Sequence, residues 1–337
     1  MRSIPTIAAA GLSRSEFEAI SHRRDPVVLK GLGAAWPIVA AAAAGDERLC
    51  DHIARQAVEQ MQDILVAPPK AKGLFSYTDD MTGRNFERRK APLREVLDHL
   101  LQLRNADNST AVYIQSTPAS QIMPRFAVEN INAIIDDAIE PRLWIGNATR
   151  VAAHFDVADN LAVVAAGRRR FILFPTDQVK NLYVGPLDFT PAGQPISLVD
   201  PEAPDFDRFP MFREALTSAS VAELDPGDAI YIPSPWWHYV AALSPVNLLV
   251  NYWWRDYPAE CGTPFNWLVH GLLAVRHLPK PEREAWRTLI DHYVFDDSGD
   301  PAAHMPDAAR SVLGPMTPGL AAHLNNWLRK QFKPPPA

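Results

Sequence analysis

Two stretches decide how this chain is read: His154-Phe155-Asp156, and Pro226-Gly227-Asp228-Ala229-Ile230-Tyr231-Ile232-Pro233-Ser234-Pro235-Trp236-Trp237-His238. In a β-strand, residues i and i+2 share a face. The spacing therefore predicts that the His154 imidazole and the Asp156 carboxylate leave one strand side by side. His238 follows 84 positions later (238 − 154), after strand and turn signals that can bring it back. Two histidines and one carboxylate are the donor set of a facial metal site, with three ligands on one face of an octahedron and three positions open. His-x-Asp alone is a weak signal, because most histidines in a chain with ten are hydrogen-bonded core or surface residues. The second stretch says more. Gly227-Asp228 reads as a tight turn feeding a strand, and Trp236-Trp237-His238 sets an imidazole at a barrel-like rim.

Outward from these stretches the pattern is strand and turn. Leu143 to Gly146, Asn160 to Ala166, Arg169 to Phe174, Ala229 to Ile232 and Val246 to Trp254 are rich in β-branched and aromatic residues. Gly167 between two of these runs predicts a hairpin. Tyr183 to Phe209 is a proline-rich insertion. Upstream, Ser13 is a candidate N-cap for a helix carrying Phe17 and Ile20. The alanine-rich run to about Gln60 reads as helical, Leu93 to Leu103 has helical spacing, and Ala111 to Gln115 reads as a strand. Residues 120–140 read as mostly helical, in two short pieces. After Trp254 the period changes to 3.6, with helices expected over 265–276, 281–295 and 318–332, before a Pro334-Pro335-Pro336 tail.

The implied class is mainly β, a β-sandwich or barrel core with helices around it. We expect α/β elements over 1–110 packing on the core, the core itself over 111–255, and C-terminal helices over 256–337. The 337 residues carry 47% hydrophobic and 21% charged residues and a net charge of −6, so nothing in the totals attracts nucleic acid or an anionic membrane. The basic run Arg84, Arg88, Arg89, Lys90 reads as a solvated face. Two cysteines, Cys50 and Cys261, make no disulfide framework. No signal peptide and no membrane span is expected, which points to the cytoplasm.

These motifs resemble the JmjC-like cupins, double-stranded β-helix (jelly-roll) proteins that use Fe(II) and 2-oxoglutarate. Within that family the resemblance is nearest to the asparaginyl hydroxylase that inhibits hypoxia-inducible factor. It runs from about Pro26 to Trp254. It is densest at His154-Phe155-Asp156, Phe171-Ile172-Leu173-Phe174-Pro175, Arg208-Phe209-Pro210, Pro226 to His238 and Asn251-Tyr252-Trp253. The resemblance implies that His154, Asp156 and His238 hold iron and form the catalytic centre. It implies that Tyr113, Asn160, Arg169 and Asn251 contact 2-oxoglutarate, with O2 as the other cosubstrate. Trp253 and Ile196 fall at the substrate mouth. Arg169 stands where the family has a lysine, and Val151 where it has a threonine. Pro195 and Ile196 replace polar residues that meet the target amide, so a different substrate is expected.

The implied activity is hydroxylation, on a protein side chain, an RNA nucleotide or a small molecule, with nucleic acid the least favoured. The C-terminal helices would form a homodimer. Two other readings stay open from the residues: a metal-binding cupin that does not use 2-oxoglutarate, and a non-catalytic binding module.

Overall fold

A computed structural model describes residues 1–106, 109–191 and 193–332. The Pro334-Pro335-Pro336 tail lies outside them. The chain divides into two compact units, residues 1–254 and 255–337.

In the first unit the strands form two sheets. The six-stranded sheet runs Arg2–Ser3, Ser220–Leu224, Arg169–Phe174, Trp237–Ala242, Arg150–His154, Leu74–Phe75. The nine-stranded sheet runs Thr6–Ala8, Val27–Lys30, Ala229–Ile232, Asp159–Ala166, Asn247–Trp254, Arg142–Gly146, Ala111–Pro118, Met61–Ala67, Glu87–Pro92. From Arg142 to Trp254 the chain passes from one sheet to the other after nearly every strand. The exception is the long insertion from Phe174 to Ser220, which joins two strands of the same sheet. This is the double-stranded β-helix that the resemblance implied, a β core with helices around it as the strand pattern implied. Strands from the first 110 residues extend the same sheets.

That crossing pattern corrects the hairpin expected around Gly167. Asp159–Ala166 pairs with Ala229–Ile232 and Asn247–Trp254, whereas Arg169–Phe174 pairs with Ser220–Leu224 and Trp237–Ala242. Gly167 carries the chain between sheets at φ +72°, and a Cβ there would lie 2.2 Å from Asn247 Oδ1. Two β-runs around a glycine look like a hairpin in sequence. Burial on both faces of each strand marks them instead as central strands of separate sheets.

Alternation then sorts the side chains. Leu161, Val163 and Ala165 join the core on the helix side, while Ala162 and Val164 point between the sheets with Phe171, Leu173, Val240 and Leu249. Helices Arg14–Ser21, Pro37–Ala43, Asp46–Gln56 and Leu93–Leu103 bring Phe17, Ile38, Leu49, Ile53, Leu97 and Leu100 to that outer core. Ser13 caps the first of them, with Glu16 completing a capping box. Helix Phe212–Ser218 and the insertion cover the other sheet, packing Phe212 and Leu182 on Phe174, Trp237 and Tyr239.

Two helical expectations are corrected. The alanine-rich helix breaks at Gly45 (φ +112°), restarts, and ends at Gln56. Within 120–140 only Ala119–Ile122 and Phe126–Glu129 are helical. Beyond them, Asn130 and Asp136 accept from the backbone N–H groups of Ile38 and Ala138. Such side chains compete with helical hydrogen bonding and favour turns.

The second unit contains helices Pro264–Ala274, Lys280–Ile290 and Pro318–Gln331. Among its described hydrophobic residues only Ala302 and Ala321 are fully buried, and Trp267, Leu273, Val294, Phe295 and Trp327 are at least half exposed. No helix among the described residues is long and apolar enough to cross a membrane.

Candidate active site

His154 closes strand Arg150–His154, but Asp156 lies two residues beyond the strand's end. Simple strand alternation therefore does not place the pair. A turn presents the carboxylate. Asn160 Nδ2 donates to Asp156 Oδ2 at 3.2 Å, and Ser234 Oγ donates to the Asp156 carbonyl at 2.8 Å. His238 is the second residue of strand Trp237–Ala242 and stands directly opposite His154. The next matched pair is Val240 with Val151, so the His154 strand holds one extra residue there. This bulge lets Val151 and His154, three apart, both line the interior.

The turn before His238 is built from Gly227 and Asp228. Gly227 has φ +94°, and a Cβ would press on Ala34 Cα at 3.1 Å. The Asp228 carboxylate accepts from Lys30 Nζ, Gly31 N and Asp225 N. Downstream, Asp159 accepts from Ser234 N at 2.9 Å and so fixes the Pro233 to Pro235 corner.

One donor atom from each of His154, Asp156 and His238 falls within 4.8 Å of the others. His238 Nε2 is 3.6 Å from Asp156 Oδ2. His154 Nδ1 lies 2.9 Å from the Ala152 carbonyl, and His238 Nδ1 lies 3.1 Å from that of Trp236. A carbonyl can only accept, so each Nδ1 carries the proton and each Nε2 presents its lone pair. Burial, with the His154 ring beside it, pushes His238 down to about 4, which keeps it in the neutral form that ligates metal. The donor set and its outer hydrogen bonds fit a divalent cation.

The triad opens into a cavity of about 110 Å³ between the sheets. Tyr113, Asn160, Arg169, Asn251, Trp253 and Ile196 all line it, together with Val151. Asn251 Nδ2 donates to Asn160 Oδ1 at 2.6 Å, so Asp156, Asn160 and Asn251 form one chain of hydrogen bonds. Arg169 is 1% exposed, and the Tyr113 hydroxyl is its hydrogen-bond partner. Its Nε and Nη2 have no partner among the described residues, where no carboxylate pairs with it. Burial pulls its affinity for the proton down. An uncompensated buried cation costs several kcal/mol, about the effective penalty of taking an ion out of water. This end of the cavity is therefore built to receive an anion. Arg168 and Arg170 point to the opposite face and pair with Glu223.

Sequence reasoning missed Gln115, Trp144, Gln194, Phe75 and Phe86, which also line the cavity. Gln115 and Trp144 were within reach of alternation, two residues from Tyr113 and one from Leu143. Gln194 and Pro191 sit on the insertion, where no period guides a reading. Trp237 and Tyr239 face the core beneath the insertion and helix Phe212–Ser218, and Trp254 stacks on Tyr231, so none of these three joins the site. The basic run is partly structural. Arg84 and Arg88 donate to the carbonyls of Thr190 and Pro191, and Arg84 lies 5.0 Å over the Phe189 ring.

Residues 13–260 match the family model described as a cupin-like domain. The chain belongs to the cupin-like domain family. It is 25% identical over 275 residues to tRNA wybutosine-synthesizing protein 5 of Gallus gallus, covering 74% of this chain and 77% of the relative. It is 34% identical over 116 residues to HSPB1-associated protein 1 of Homo sapiens, covering 34% of this chain and 23% of that one. It is 32% identical over 120 residues to lysine-specific demethylase 8 of Xenopus tropicalis, covering 35% and 26%. The chain thus spans most of the first relative and about a quarter of the other two. JmjC-type members of this family are Fe(II)- and 2-oxoglutarate-dependent oxygenases, and with a triad able to hold a metal this chain is an enzyme of that class.

Proposed function

We propose that the chain is a hydroxylase in which His154, Asp156 and His238 hold iron and the Arg169 end of the cavity holds the far carboxylate of 2-oxoglutarate. The observation that carries this reading is the buried Arg169 guanidinium with two unmet donors and, among the described residues, no carboxylate paired with it. Arginine meets a carboxylate with two parallel N–H groups, so it can serve where the family has lysine. When bound, the iron would couple oxidative decarboxylation of 2-oxoglutarate to insertion of oxygen from O2 into a C–H bond. The protein's own tasks are positional. Asn160 steadies Asp156, the Ala152 and Trp236 carbonyls hold the imidazole tautomers, and Tyr113 and Arg169 hold the cosubstrate. Asp156 fills the third ligand position and so favours hydroxylation.

The substrate would enter past Trp253, Ile196, Pro191 and the carboxamides of Gln115 and Gln194. A protein side chain or a small polar molecule suits the net charge of −6. A nucleotide in RNA is the second reading, favoured by the relative named for tRNA wybutosine synthesis, which this chain matches over 77% of its length. The exposed apolar residues of the second unit support a homodimer through its helices. Sedimentation at micromolar concentration is expected to give twice the chain mass, and a monomer would remove that assignment.

The test of function is 2-oxoglutarate binding to the Fe(II)-loaded protein without oxygen, read from the visible metal-to-ligand charge-transfer band. The band is expected in wild type and lost in His154→Ala and Arg169→Ala. Its absence in iron-loaded wild type at saturating 2-oxoglutarate would favour a metal-binding cupin with another chemistry.

A further inference from the structure

Val151, which stands where the resemblance implies a threonine at the far carboxylate, offers no donor. Another donor stands beside the gap. Trp144 lies on strand Arg142–Gly146 opposite Leu249, and both line the cavity. Its ring stacks on Tyr113 with centroids 5.8 Å apart, and Tyr113 in turn meets Arg169. Trp144 and Val151 pack against the same cluster of Leu65, Phe75, Phe86 and Tyr113. Trp144 Nε1 is buried and has no hydrogen-bond partner among the described residues. An indole N–H can only donate, and buried tryptophans ordinarily find an acceptor. Arg169 Nε and Nη2 are unmet in the same cavity. Three donors without an acceptor among the described residues, on two side chains that line one cavity and both meet Tyr113, match the several lone pairs of a single carboxylate.

We propose that Trp144 donates its indole N–H to the carboxylate held by Arg169, replacing the hydroxyl lost at Val151. This rests on reading the cavity as a 2-oxoglutarate pocket. Trp253 also has an unmet buried Nε1, but its ring meets Trp144 edge-on and lies under Arg142 at 5.9 Å, next in line after Tyr113 and Trp144. It serves as the comparison.

The experiment is anaerobic calorimetry on the full Fe(II)-loaded chain with two ligands: 2-oxoglutarate, and 2-oxopentanoate, which lacks the far carboxylate. Trp144→Phe keeps the ring and removes the N–H. It is expected to weaken 2-oxoglutarate about tenfold or more, the effect of one hydrogen bond to a charged group, while 2-oxopentanoate changes less than about twofold. Trp253→Phe is expected to spare both affinities. Equal losses for the two ligands would make Trp144 a packing residue and overturn the proposal, as would no loss for either. Failure of wild type to bind 2-oxoglutarate would instead sink the pocket reading beneath it. Should Trp144→Phe not fold, Val151→Thr decides. With the indole already donating, the added hydroxyl is expected to change affinity less than about twofold. A gain of about tenfold would mean that the carboxylate lacked that donor, and the proposal would fall.

Discussion

The two ends of the cavity are built on opposite principles. At the metal end every side chain is held by the protein itself. Both Nδ1 atoms have carbonyl partners, and Asp156 is tied to Asn160 and through it to Asn251. At the far end the polar atoms are left open, on Arg169 and on Trp144. A metal site must be preorganised, because the ligand geometry sets affinity and leaves the open positions aimed correctly. A site for an organic anion can instead carry unmet donors whose cost the ligand relieves on binding. In the ligand-free protein the three metal-facing side chains are thus held in place, while the other end carries a charge unpaired among the described residues.

The largest effect should come from breaking the metal end. His154→Ala or Asp156→Ala is expected to lower iron affinity more than about 100-fold, because losing an outer hydrogen-bond partner alone costs about 10- to 100-fold. Metal content after dialysis reads this directly. Stoichiometric iron in both variants would mean that the triad is not the metal site. The open end should respond with the opposite sign in stability. Arg169→Met removes a buried cation, so the ligand-free protein is expected to gain about 1 kcal/mol or more. The same change should abolish the stabilisation that 2-oxoglutarate gives wild type, which linkage sets at about 2.7 kcal/mol at 100 times Kd. Thermal melts with and without 2-oxoglutarate separate the two. A ligand-free Arg169→Met protein that melts lower than wild type would show that the guanidinium is structurally satisfied.

The same contrast explains what the sequence could convey. The metal end was legible because its parts are short-range: an i, i+2 pair, and a glycine turn whose backbone angle and close contact with Ala34 exclude other residues. Even there the mechanism differed, since Asp156 stands beyond the strand and a bulge resets the period before His154. Arg169 was legible by position, but its isolation was not, because that depends on how strands from both sheets keep the carboxylates among the described residues from pairing with it. The sheet crossing at Gly167 was misread for a similar reason. A local turn signal says that the chain reverses and leaves open which sheet receives it. Trp144 could be placed on a strand, but no pattern in the chain says that its N–H lacks an acceptor.

A smaller effect should mark the roof of the cavity, which neither end controls. Phe189, Thr190, Pro191 and Gln194 belong to the insertion, which brings Pro191 and Gln194 to the lining. It is tied down from outside by Arg84 to the Thr190 carbonyl at 2.8 Å, Arg88 to the Pro191 carbonyl at 3.3 Å, and Tyr77 to the Phe189 carbonyl at 2.7 Å. Both arginines are exposed, so each tie is worth only about 0.5–1.5 kcal/mol. Arg84→Ala with Arg88→Ala should therefore leave iron and 2-oxoglutarate affinity unchanged and raise the KM for the hydroxylated substrate about three- to tenfold. Among the described residues, Arg89 and Lys90 pair with surface acids, Glu87 and Asp63, and with none on the insertion. Reversing their charge thus probes the basic face without loosening the roof. Lost binding of a candidate RNA in Arg89→Glu with Lys90→Glu, at unchanged iron content, would favour the nucleotide substrate. Unchanged RNA binding there, alongside a KM effect in the Arg84 and Arg88 pair, would leave the run's first two arginines as a clasp for the roof and favour a protein side chain or small molecule.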